Sequence, residues 1–197
     1  MILKSEYERN QMKKTLFLSI IISLLLGGCF YPFTSKTTTP KKEISLPYNS
    51  PEWLIKPKKN GFITQIGATS NIDKKELNFH KQKALINASN NLTKKIYAKV
   101  VKLYRDYEEE TNDALTYDKD IKKYAKQISL KALKQAKISN TWINIEKQLF
   151  VRISVDTNIV AEQIQKHSKL LFKTNKNLYK NFLSNRAKRD LNIMLEK

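Results

Sequence analysis

The chain has 197 residues, with 37 Lys and Arg against 18 Asp and Glu, and a formal charge of +19. That length supports one domain with its own core. A single cysteine excludes an internal disulfide framework, and four glycines are too few for a phosphate-cradling loop. The charge suits an anionic lipid surface or an acidic polymer. A Lys-, Asn- and Ile-rich composition accounts for it equally well as the imprint of an AT-rich genome. No nucleic-acid-binding motif accompanies it, so nucleic acid is not an expected partner.

At the N-terminus, Lys13 and Lys14 precede an uncharged apolar run from Thr15 to Leu26, which Gly27, Gly28 and Cys29 close. A charged region, an apolar stretch and small residues at a cut site form the pattern of a secretory signal. The run is shorter than the ~20 residues of a spanning helix, and Pro32 is a poor continuation for it. Leu26-Gly27-Gly28-Cys29 reads as a lipoprotein cleavage site: residues 1–28 would be the signal, and Cys29 the acylated N-terminus carrying diacylglycerol and palmitate-type chains. A retained anchor is the alternative. Met1 to Gln11 is polar and carries Glu6 and Glu8, which makes Met12 the better candidate start. Two or more acyl chains give stable membrane anchoring. Phe30 rather than Asp after the cysteine points to the outer membrane, with periplasmic and surface exposure both open.

Residues 29–50 read as a flexible tether, with Pro32, Pro40 and Pro47 and a threonine run. Fully extended it would reach about 70 Å. Folded structure is expected from Pro51, Glu52 and Trp53 onward. Phe62 to Gly67 reads as a short strand. Asn71 or Asp73 can cap a following helix, Glu76 standing at capping-box spacing from Asp73. Leu77, Ala84, Leu85, Ala88 and Leu92 form its apolar stripe, and the small alanines let it lie close to a sheet. Ile96 to Tyr107 is read first as a strand, from its β-branched and aromatic content. The alternative extends the first helix, since Ile96, Val100 and Tyr104 are spaced by four. Glu108 to Asp113 reads as a solvated acidic loop.

A second helix is expected over Tyr117 to Gln135, burying Ile121, Tyr124, Ala125, Ile128, Ala132 and Ala136. Ile138 to Ile145 and Leu149 to Val155 then flank Glu146-Lys147-Gln148 as a hairpin. Val151, Ile153 and Val155 alternate with Arg152 and Ser154, which predicts one buried and one wet face. Asp156 or Thr157 can cap a long C-terminal helical region, interrupted near Lys173 to Asn177. The fold class is α+β: a small, largely antiparallel sheet with helices packed on one face, plus a long helical extension. The expected division is an α+β domain over 51–156 and a basic helical region over 157–197.

The lipoprotein site, the tether, the Pro51 and Trp53 start, the strand ending in Ile66-Gly67-Ala68, the alanine-spaced helix and a late Trp142 strand paired with Leu149-Phe150-Val151 resemble the twenty-kilodalton outer-membrane lipoprotein family of spiral bacteria. A flagellar basal-disk lipoprotein is similar to that family. The resemblance covers roughly Pro51 to Val155. It implies a non-enzymatic structural or interaction module of the envelope, with a flagellar association within its range. Two features depart from the family pattern: the strand Phe62 to Gly67 lacks the usual Tyr-Ala-Val-Gly-like sequence, and the basic extension after Asp156 is longer than expected.

No catalytic constellation is legible. His80 and His167 are far apart, and neither has a second His or Cys at ligand spacing, so no metal or catalytic residue is assigned. His80, on a Lys-rich helix, is expected to be exposed. No nucleophile stands in a recognisable base-paired motif. Trp53 and Trp142 are read first as core residues; the sharper alternative makes them partner-facing anchors. Expected partners are the membrane through Cys29, an envelope protein or a second copy of the chain, and peptidoglycan or anionic lipid through the basic C-terminal region. No cofactor beyond the acyl chains is expected. Activation of a peptidoglycan synthase and a surface antigen or adhesin role are the alternative functions.

Overall fold

Alternation along Leu149–Asp156 sets the orientation of the whole molecule. Leu149, Val151, Ile153 and Val155 are each at most 2% exposed and belong to the main core, while Phe150, Arg152 and Ser154 point to the opposite face. The computed structural model describes residues 49–112 and 117–196. Cys29, the signal and all of the tether before Asn49 lie outside the described residues.

The elements run α1 (Glu52–Ile55), β1 (Phe62–Thr69), a short 3-10 turn (Lys74–Glu76), α2 (Leu77–Glu110), α3 (Asp118–Gln135), β2 (Lys137–Ile143), β3 (Leu149–Asp156), α4 (Thr157–Leu171), α5 (Lys176–Asn185) and α6 (Lys188–Glu196). The sheet has the order β1-β3-β2 and is antiparallel throughout. Ile63 pairs with Val155 and Gly67 with Val151, which puts these β1 residues on the core face. The α+β class, with a three-stranded antiparallel sheet, helices against it and further helices at the C-terminus, is as the sequence implied.

Helix α2 corrects one expectation. Ile96 to Tyr107 is not a strand but the second half of a single 34-residue helix. Ile96, Val100, Leu103, Tyr104 and Tyr107 are all at most 3% exposed. Their spacing keeps them on one helical stripe continuous with Ala84, Ala88 and Leu92. Their β-branched and aromatic character favours strands only mildly, and burial of the continuous stripe outweighs it. The helix runs alongside the free edge of β1, where Asn87, Asn91 and Lys95 donate to the carbonyls of Ala68, Ile66 and Thr64 at 3.1, 3.5 and 3.5 Å. An edge strand needs such cover, since its unpaired carbonyls would otherwise invite a second chain.

The acidic run also differs from expectation. Glu108 to Glu110 form the last turn of α2, and Glu108 is only 2% exposed. Its carboxylate accepts the Tyr117 amide at 2.9 Å, which fixes the start of α3. Glu110 pairs with Arg186 at the end of α5. Asp113 lies outside the described residues.

The helices after Asp156 are built into the same core. Leu171, Phe172, Leu178, Phe182, Leu191 and Leu195 are all buried with it, and Ser45–Lys197 forms one compact unit. Asp156 caps α4 by accepting the Asn158 amide at 2.8 Å, and Asn175 caps α5 through the Leu178 amide at 2.9 Å. Tyr104, Tyr107, Phe172 and Phe182 form a ring cluster with centroids 5.0 to 6.4 Å apart. The phenols of Tyr104 and Tyr107 donate to the carbonyls of Ile164 and Leu178 at 2.9 and 2.8 Å, so each ring is buried without leaving its hydroxyl unpaired.

Candidate functional site: the sheet face away from the helices

The strand residues not used by the core define a second surface. Register places Thr64 beside Ser154, Ile66 beside Arg152, and Ala68 beside Phe150; on the other side of β3, Asn140 meets Arg152 and Trp142 meets Phe150. These residues share the face opposite the helices. A β-bulge between Ile138 and Asn140 brings β2 into that register.

The segment from Pro51 to Pro57 lies across this face. Leu54 is 6% exposed and stands outside the main core cluster. The Thr64 hydroxyl donates to the Pro57 carbonyl at 2.5 Å. Trp53 places its ring 5.4 Å from the Arg152 guanidinium carbon, within the ~6 Å over which a cation is attracted to a ring face. Asn140 Oδ1 accepts from Arg152 Nε and Nη2 at 3.0 and 2.5 Å, and Ser139 Oγ accepts from Nε at 3.2 Å. Partial burial pulls the Arg152 pKa somewhat below its ordinary value. The guanidinium remains charged, held between the Ser139 and Asn140 side chains of β2 and the Trp53 ring.

Trp142 lies 5.7 Å from Phe150, with their ring planes 31° apart. Phe150 is 2% exposed, whereas both tryptophans are only half-buried. The structure thus brings Trp53 and Trp142, far apart in sequence, onto one face of the sheet with Arg152 and Phe150 beside them. Neither tryptophan sits in the helix-side core. Sequence reasoning placed Arg152 on a wet face but missed its partnership with Trp53. The legible signal was the alternation in β3, which puts Phe150 and Arg152 on the side that Trp142 shares. Ser154, expected to be wet, is 7% exposed.

The histidines are not part of this surface. His80 is buried at 8% exposure, contrary to expectation, because its Nε2 accepts the Asp73 amide at 3.4 Å where the loop turns into α2. His167 is 4% exposed, its Nδ1 is 2.7 Å from the Gln163 carbonyl, and its ring is 5.5 Å from Tyr124. Asp73, expected as a helix cap, accepts the Lys75 amide at 2.9 Å and caps the 3-10 turn that leads into α2. Among the described residues, no group of three His, Cys, Asp or Glu could hold a metal ion, and no helix is long and apolar enough to cross a membrane.

What this face offers chemically is contact: two partly exposed indoles and a fixed guanidinium. Aromatic and Arg side chains of this kind carry most of the energy of many protein interfaces. No protein-family model matches the chain, and neither the curated proteins nor the solved structures contain a significant match. The class defined by the fold is therefore an α+β sheet-and-helix domain with one aromatic sheet face.

Proposed function

We propose that this chain is a lipid-anchored, non-enzymatic interaction module of the bacterial cell envelope, held in the outer membrane through Cys29 and akin to the twenty-kilodalton outer-membrane lipoproteins. Its docking surface is the sheet face of Trp53, Trp142 and Arg152, and its partner is an envelope protein with an acidic, partly apolar surface. The observation that carries this reading is that both tryptophans keep part of their surface open on one face, beside a fixed cation. A chain with a formal charge of +19 favours an acidic partner by long-range attraction. The anchor rests on the apolar run that ends in Leu26-Gly27-Gly28-Cys29.

The test starts with intact mass and membrane fractionation of wild type and Cys29→Ala, followed by crosslinking of the envelope fraction from wild type and Trp142→Ala. Acylated protein in the outer membrane, with a crosslinked product lost in Trp142→Ala, supports the reading. An unacylated soluble wild-type chain removes the anchor. A crosslinking pattern unchanged in Trp142→Ala removes the docking face.

A further inference from the structure

Two lysines stand close together at the middle of α2, beside the edge of β1. Lys95 and Lys99 are one turn apart on α2, and both are half-buried. Lys95 Nζ is 3.5 Å from the Thr64 carbonyl at the β1 edge. Lys58 is close enough to both to repel them. Burial and this mutual repulsion hold the ammonium groups of Lys95 and Lys99 below the usual lysine pKa. Asp106, further along α2, is paired with Lys102, and Glu196 accepts the Gly61 amide at 2.9 Å. Among the described residues, neither Lys58, Lys95 nor Lys99 forms a salt bridge with a carboxylate. Exposed lysines without partners are ordinary in so basic a chain. Partial burial of two like charges one helical turn apart is not, because it costs stability unless an anion neutralises them.

Lys99 also lines a groove of about 430 Å³. The groove runs between α2 and α6, with Leu103, Met194 and Leu195 as its apolar part and Lys102 and Asp106 at its edge. A cationic cluster thus adjoins an apolar slot, and Lys99 belongs to both.

We propose that Lys95 and Lys99 bind the phosphate of an anionic phospholipid, whose acyl chain enters the groove beside Leu103, Met194 and Leu195. A free phosphate would satisfy the lysines but leave the groove empty. The site stands whether or not Cys29 carries acyl chains.

The test titrates the full chain, purified in a neutral sugar detergent, with dihexanoyl phosphatidylglycerol, dihexanoyl phosphatidylcholine and inorganic phosphate by calorimetry. Phosphatidylglycerol should bind at least about tenfold more tightly than either of the others, since it alone combines net negative charge with acyl chains. The double substitution Lys95→Gln with Lys99→Gln should weaken it at least tenfold. Met194→Gln, which makes the slot polar without adding charge, should weaken phosphatidylglycerol while leaving the weak phosphate binding unchanged. The thermal midpoint of Lys99→Gln alone, which keeps the Lys95 bond to the Thr64 carbonyl, should equal or exceed that of wild type while phosphatidylglycerol binding falls, and this separates lost binding from lost folding. Equal affinity in wild type and the double variant would overturn the proposal, as would absence of phosphatidylglycerol binding. Phosphate matching phosphatidylglycerol would overturn the lipid assignment and leave a simple anion site.

Discussion

Gly67 of β1 lies directly against Ala84 and Ala88 of α2. A Cβ on Gly67 would run into the Ala84 carbonyl oxygen and the Ala88 amide nitrogen, and would stand 3.0 Å from the Ala88 Cα. The obstacle is backbone on both counts, so no side-chain rotation relieves it. The alanine stripe on α2 and the glycine in β1 are two halves of one close approach, which sets how near the longest helix sits to the sheet. Gly67→Ala should therefore destabilise the fold by about 3 kcal/mol, toward the upper end for overpacked cores. Denaturant midpoints check this, and a loss below about 0.5 kcal/mol would mean that helix and sheet are not in close contact there.

The ring cluster at the far end of α2 makes the C-terminal helices part of the domain. Phe182 is fully buried and packs against Tyr104, Tyr107 and Phe172. Phe182→Ala should cost about 3–5 kcal/mol, and Phe182→Leu about 1–1.5 kcal/mol. A chain cut after Asp156 should fail to fold, because it loses Ile164, Leu171, Phe172, Phe182 and Leu191 from the core. Cooperative unfolding of the truncated chain, matching wild type, would show instead that residues 157–197 are an appendage.

His167 gives the domain an acid sensitivity. Its burial is the largest influence lowering its pKa below the ordinary 6.5; Lys131 and Lys166 push the same way, and the bond to the Gln163 carbonyl opposes them. The Tyr124 ring packs on it without adding charge. A histidine with a depressed folded pKa contributes stability that is present above about pH 6.5 and lost as pH falls through the folded value. The urea midpoint should thus drop between pH 7 and pH 5, and His167→Gln should flatten that slope. An equally steep slope in the variant would assign the effect to other groups.

Tyr104 should act at the opposite end of the pH scale. Burial raises its phenol well above the ordinary value of 10, and its hydroxyl is bonded to the Ile164 carbonyl and near Ser168 Oγ at 3.1 Å. Tyr104→Phe should cost about 1 kcal/mol at neutral pH. The neutral phenol's contribution is complete below about pH 10 and fades above it as the unfolded chain ionises. The gap between wild type and variant should narrow from pH 9 to pH 11; a constant gap would show that the hydroxyl reaches solvent.

The two indoles should report their face directly. Trp53 and Trp142 are half-buried, so acrylamide should quench both single-tryptophan variants, Trp53→Phe and Trp142→Phe, more strongly than a core tryptophan. Full protection of both in the isolated chain would place them in the core and remove them as anchors.

Local signals carried much of this fold. The alternation in β3 is visible because every second residue is apolar, and the hairpin turn follows from the polar Glu146-Lys147-Gln148 between two apolar runs. Asp156 and the Lys173 to Asn177 interruption mark helix boundaries, since capping and breaks are short-range events. The additional break between α5 and α6, near Arg186, had no such signal. Ile96 to Tyr107 satisfied both a strand composition and a four-residue spacing. Burial of its whole stripe, with Tyr104 and Tyr107 reaching Ile164 of α4 and Leu178 of α5, made helix the outcome.

The sequence alone determined the class of the molecule, the hairpin, the alanine stripe and the two tryptophans as residues to weigh, because these depend on neighbours within a few positions. The tertiary structure decided what lies far apart in sequence: that Trp53 crosses the sheet to meet Arg152, and that Tyr104 and Tyr107 reach the carbonyls of Ile164 and Leu178. Each of these is a long-range contact. Its energy comes from burial and charge between segments that no local pattern of residues records.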